Sequence, residues 1–202
     1  MTTKEELELL LQIMQKHDLP MSPILEYAIN EKLQGNTSAE MSPMHLIAFE
    51  SNSSLPDTSY VEMFRNLSTG VQNGKKLPHK AVLLLSILEL VGNGTIKENK
   101  IDLSKMIASS FATTWDFFQL GPKTPSVWIP FWYMKSEPFW HFKALSDENV
   151  LRNLLCFAGH PTVGQMRTVI KCAFVDEQLF ELMRDEKERS ALVNALIETY
   201  LR

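Results

Sequence analysis

The run Ala81 to Val91, AVLLLSILELV, constrains this chain more than any other feature. Wound as a helix it is apolar around nearly its whole circumference, so no face of it can be left to water. It is about half as long as the roughly 20 residues that a bilayer span requires, so it is too short to cross a membrane. The place left for it is the interior of a domain, with other elements packed on every side. Pro78 stands just upstream, in a first helical turn where proline is tolerated, and Gly92-Asn93-Gly94 stops the run. A buried central helix is therefore the expected organiser of the fold. The 202 residues suffice to build one core around it, with a small accessory unit beside it.

Upstream of this helix, Thr3 and Glu6 form a capping-box signature, and Leu7, Leu10, Leu11 and Met14 recur at helical spacing. Ser22-Pro23 opens a second helix through Ile24, Leu25, Ala28 and Ile29 that Gly35 closes. Residues 1–34 thus read as a helical hairpin, residues 35–57, rich in Ser, Asn, Thr and Pro, as a linker, and residues 58–202 as the main domain. In that domain a helix is expected over about Thr58 to Ser68, followed by a polar loop from Gln72 to Lys76. Asp102 or Ser104 can cap a further helix with Met106, Ile107, Phe111, Trp115 and Phe118 on one broad face.

Val127 to Met134 and Phe139 to Leu145 are aromatic and β-rich. They are expected to pair as a two-stranded hairpin that leans on the helices, with Ile129, Phe131 and Tyr133 on one face and Trp132 and Trp140 in the core. Helices are expected again over roughly 149–158, 162–173, 176–184 and 186–201. The fold class predicted is α+β, mostly α: a helical domain around a buried central helix with a small antiparallel β-hairpin, preceded by an N-terminal helical hairpin.

The net charge is -4, but it is unevenly spread. Residues 65–171 carry 13 basic and 7 acidic side chains, whereas residues 1–64 carry 3 and 10. A basic middle suits a surface that faces phosphate. Cys156 and Cys172 stand alone, which fits reduced thiols in a reducing compartment, and no signal-peptide pattern follows Met1. A cytoplasmic location and no membrane association are the expectation. His17, His45, His79, His141 and His160 are scattered singly, outside any metal-ligand spacing, and no phosphate-binding glycine loop or nucleophile motif occurs. Neither a catalytic residue nor a metal or other cofactor is expected. Binding chemistry is visible instead: Pro78, His79 and Lys80 begin a helix whose free amides favour an anion, with Lys75 and Lys76 just upstream.

Leu77-Pro78-His79-Lys80 before the leucine run, then Ile101-Asp102-Leu103, Ile129-Pro130-Phe131-Trp132-Tyr133 and Glu137-Pro138-Phe139-Trp140-His141 follow one another in a characteristic order. So do Ala173-Phe174-Val175-Asp176-Glu177-Gln178-Leu179-Phe180 and the final Leu196-Ile197-Glu198-Thr199-Tyr200. In these blocks the chain resembles the sulfur-binding domain of phosphorothioate-dependent type IV restriction endonucleases, over roughly residues 60–202. The resemblance implies recognition of duplex DNA in which sulfur replaces a non-bridging phosphate oxygen. It implies a sulfur cup lined by Pro78, His79, Lys80, Ile129, Pro130 and Tyr133, with Lys75, Lys76, Arg167 and Lys171 as further contacts to the DNA backbone. Two positions depart from the family's pattern: Ile129 stands where relatives carry an aromatic, and Tyr133 where they carry a smaller residue or a histidine. The HNH nuclease block that commonly follows this domain is absent from these residues, so any cleavage is expected from a partner nuclease. The competing expectation is a non-catalytic adaptor that docks such a nuclease.

Overall fold

A computed structural model describes residues 58–156 and 159–202. The chain divides after Pro56, and these residues belong to the second part. The helical hairpin expected over 1–34 and the linker expected over 35–57 lie outside the described residues.

The leucine run forms the helix that its composition demands. Helix α2, His79–Gly92, is buried continuously from Lys80 to Leu88 and again at Leu90 and Val91. Its one internal hydroxyl, Ser86, is satisfied locally by donating to the Val82 carbonyl at 2.8 Å, so full burial leaves no orphan there. Before it come helix α1, Thr58–Arg65, and strands β1, Val71–Gln72, and β2, Lys75–Lys76. After it come helix α3, Lys105–Phe117, and helix α4, Trp128–Tyr133, which runs into a 3-10 turn at Met134–Ser136. Strand β3, Trp140–Ala144, helix α5, Glu148–Leu155, helix α6, Val163–Val169, and strand β4, Ile170–Val175, follow. Helices α7, Glu177–Arg184, and α8, Glu186–Tyr200, complete the domain. The fold is α+β and mostly α, and α2 packs against α3, α4, α7 and α8.

The expected hairpin between Val127–Met134 and Phe139–Leu145 does not form. The first segment is α4 with its 3-10 extension, and β3 pairs instead with β4, antiparallel, from Trp140 opposite Val175 to Lys143 opposite Cys172. β-Propensity describes a fit to a half-buried pleated surface rather than a backbone preference, and packing overrides it here. Pro130 is the third residue of α4, where its missing N–H would have had no partner inside the helix. The expected helix over 162–173 is correct only as far as Val169. Thr162 and Gln165 form a true capping box, but Ile170–Val175 becomes a strand between β3 and a bridge to Ile101.

Two smaller differences concern exposure and turn chemistry. Ile107, Phe111 and Trp115 give α3 its buried stripe, and Ser104 caps the helix by accepting from the Ile107 N–H. Met106, one step round the helix, is exposed. The expected loop over Gln72–Lys76 is a two-residue hairpin, with Val71 opposite Lys76 and Gln72 opposite Lys75. Asn73 and Gly74 adopt φ of 53° and 77°, the left-handed pair that the twist of a tight hairpin requires.

Trp132 and Trp140 lie in the core, as expected. Phe131 meets Trp140 edge-on at 5.5 Å, and Phe64 lies 5.3 Å from Phe139. Tyr200 fastens α8 to the end of α1: its hydroxyl accepts from the Leu67 N–H at 2.8 Å and donates to the Arg65 carbonyl at 2.9 Å. That tie holds the loop from Leu67 to Gly70.

Candidate functional site

The loop after α1, the entry to α2 and the outer side of α4 enclose a cavity of about 470 Å³. It is lined by Ser68, Thr69, Gly70, Leu77, His79, Lys80, Ile129, Pro130, Tyr133 and Ser136. Five residues named from the sequence, His79, Lys80, Ile129, Pro130 and Tyr133, therefore share one pocket. Pro78 stands at the N-cap of α2 behind this lining. Ile129 and Tyr133 meet here because they are four residues apart on a helix, not because they alternate along a strand. Phe131, expected on the same face, instead lines a second cavity of about 220 Å³.

Lys80 is placed differently from a free phosphate-binding lysine. It is 5% exposed, and its Nζ donates to Ser136 Oγ at 2.7 Å and to Glu137 Oε1 at 2.5 Å. Glu137 is equally buried and also accepts from the Ser68 N–H at 3.1 Å. Burial pulls the Lys80 ammonium below its ordinary pKa, while the hydrogen bond and charge of Glu137 oppose that pull. The pair closes the base of the pocket with little net charge. His79 is half-buried with its ring 5.1 Å from Trp115, and burial holds its pKa below the ordinary 6.5. At neutral pH its imidazole is uncharged, so it offers a polar edge and a flat wall rather than a cation.

The positive charge lies outside the pocket. Lys75 and Lys76 are exposed on β2, immediately before Leu77. The Lys76 Nζ donates to the Arg65 carbonyl at 3.1 Å and sits 5.1 Å over the Tyr200 ring. Arg167 and Lys171, both exposed, line the second cavity with Asp102, Leu103, Phe131 and Cys172, and the two cavities share no lining residue.

Sequence reasoning missed Ser68, Thr69, Gly70, Leu77 and Ser136 as wall residues. Leu77 was visible as the residue before Pro78; the other four carry no local signal, because the long-range ties from Glu137 and Tyr200 bring them here. The Thr69 Oγ1 is buried without a hydrogen-bond partner, as is the Nε1 of Trp115 beside His79. Of the four such buried side-chain atoms among the described residues, one belongs to the lining of this pocket and one to the indole that lies against His79.

Elsewhere, Cys156 is exposed and Cys172 buried, and both are free thiols. Among the described residues no group of three or more His, Cys, Asp or Glu could hold a metal, and no helix is long and apolar enough to cross a membrane. The chain matches no protein-family model and no curated protein.

Proposed function

We propose that residues 58–202 bind duplex DNA and prefer a backbone phosphate in which sulfur replaces one non-bridging oxygen. The observation that carries this reading is the single pocket built from two distant blocks, His79-Lys80 and Ile129-Pro130 with Tyr133, with exposed lysines on the adjoining hairpin. Leu77, Ile129, Pro130 and the Tyr133 ring offer contacts to a polarisable atom. Sulfur is less well hydrated than oxygen, so moving it against such a wall costs less. Lys75 and Lys76 approach neighbouring phosphates, and Arg167 and Lys171 serve backbone contacts on the far side of α4. Any cleavage is left to a partner nuclease. A second reading, an adaptor for such a nuclease that has lost DNA binding, draws support from the neutralisation of Lys80 by Glu137.

The test is a mobility-shift titration of a duplex carrying one phosphorothioate against its all-oxygen twin, at low salt, with Tyr133→Ala and Lys75→Ala alongside. The sulfur duplex is expected to bind tighter by about 10-fold or more, the worth of one apolar atom-sized contact. Tyr133→Ala should narrow that ratio, and Lys75→Ala should weaken both duplexes alike. Equal binding of the two duplexes would leave a general DNA binder, and no binding at all would favour the adaptor.

A further inference from the structure

Thr69 lines the pocket, and its hydroxyl is buried with no hydrogen-bond partner. Buried polar groups are paired in the great majority of cases, and an unpaired one destabilises the fold that carries it. The neighbouring polar groups are already engaged. Ser136 Oγ accepts from Lys80 and lies 3.0 Å from the Tyr133 carbonyl, and the Ser68 N–H is given to Glu137. Much of the remaining wall is apolar: Leu77, Ile129 and Pro130. The hydroxyls of Ser68 and Tyr133 belong to exposed residues, so Thr69 carries the buried hydroxyl with spare capacity in this pocket. No hydrogen bond holds its χ1, and a turn from one staggered well to another, restricted as it is for a β-branched side chain, exchanges its hydroxyl and methyl positions.

We propose that Thr69 is a phosphate-binding residue of this pocket: its hydroxyl donates to the non-bridging oxygen of the phosphate whose sulfur lies against Ile129 and Pro130. The inference rests on the reading of this pocket as a DNA-phosphate site. It adds that the pocket recognises two features of one group, a polarisable atom on its apolar side and a hydrogen-bond acceptor beside it. The donor is neutral, as suits a pocket base where Lys80 and Glu137 already cancel. The hydroxyl has no partner within the protein, and the phosphate oxygen supplies one.

Thr69→Val keeps the side-chain shape and removes the donor, whereas Thr69→Ser keeps the donor and removes the methyl. The experiment is a titration of wild type and both variants with the single-phosphorothioate duplex, with melting temperatures of the free proteins measured in parallel. The expected result is about 10-fold weaker binding by Thr69→Val, a melting temperature unchanged or raised, and Thr69→Ser within about twofold of wild type. Wild-type affinity in Thr69→Val overturns this inference alone. So does a weakened Thr69→Val whose melting temperature has dropped by several degrees, or a Thr69→Ser as weak as the valine variant, because either shows that the side chain acts through packing. Failure of the wild-type protein to bind the duplex overturns the inference together with the reading beneath it.

Discussion

Lys80 and Glu137 show how a residue expected at a surface can be turned to structural use. Their side chains are 7% and 4% exposed, and each supplies the other's charge in the interior. Lys80→Ala would leave Glu137 with only the Ser68 N–H and the Ser136 hydroxyl. Breaking a buried pair from one side costs about 3–5 kcal/mol, and urea unfolding should show a loss of that size. The proposed DNA binding would fall in Lys80→Ala for this reason alone, so Tyr133 and Lys75 report better on the proposed interface. His79 carries a pH signature. Its folded pKa lies below 6.5 because of burial, so the unfolded chain binds this proton more readily. The stability it contributes is whole above about 6.5 and is lost as pH falls through the folded value. His79→Gln should remove that loss. Between about pH 7.5 and 5, across the range in which histidine titrates, the wild-type melting temperature should fall relative to that of His79→Gln.

Elements meet at close quarters where α2 ends. A Cβ on Gly92 would lie 2.7 Å from the Arg189 Nε and 2.9 Å from its Cζ. Arg189 cannot simply withdraw, because its Nη1 donates at 3.0 Å to the Met183 and Arg184 carbonyls at the end of α7. The buried cation thus serves the C-terminal carbonyls of one helix while pressing on the last turn of another, a position that the helix dipole favours. Gly→Ala normally stabilises a helix, but Gly92→Ala should instead cost about 1–3 kcal/mol through overpacking. Gly164 in α6 is the control: its Cβ would meet nothing closer than 3.8 Å, so Gly164→Ala should be neutral or stabilising by up to about 1 kcal/mol in the same denaturation assay. The hairpin of β1 and β2 depends on Gly74 at φ 77°. Gly74→Ala should cost about 1 kcal/mol and disturb Lys75 and Lys76, the exposed lysines of that hairpin.

Across the whole molecule the net charge of -4 conceals the basic stretch from 65 to 171, and the proposed DNA contacts all fall within it. If phosphate contacts supply the affinity, log K should fall linearly with log salt, and Lys75→Ala should reduce the slope by about 1. A slope that Lys75→Ala leaves unchanged would remove that lysine from the interface. Much of this molecule was legible in consecutive residues. The apolar circumference of 81–91 made α2 central, the period of Ile107, Phe111 and Trp115 set the buried side of α3, and the expected helix start at about 162 fell at the N-cap of α6. Such signals are local, because a helix makes its hydrogen bonds and presents its faces within a few residues. The aromatic run at 128–134 misled, since its residues suit a strand as well as a helix and the choice rested on what they pack against. The partner of β3, the turning inward of Lys80 toward Glu137, and the arrival of Thr69 beside Ile129 and Pro130 were decided by tertiary packing alone. Each depends on contacts between residues far apart in the chain, and no pattern along the chain encodes such a contact until the surfaces that make it have been brought together.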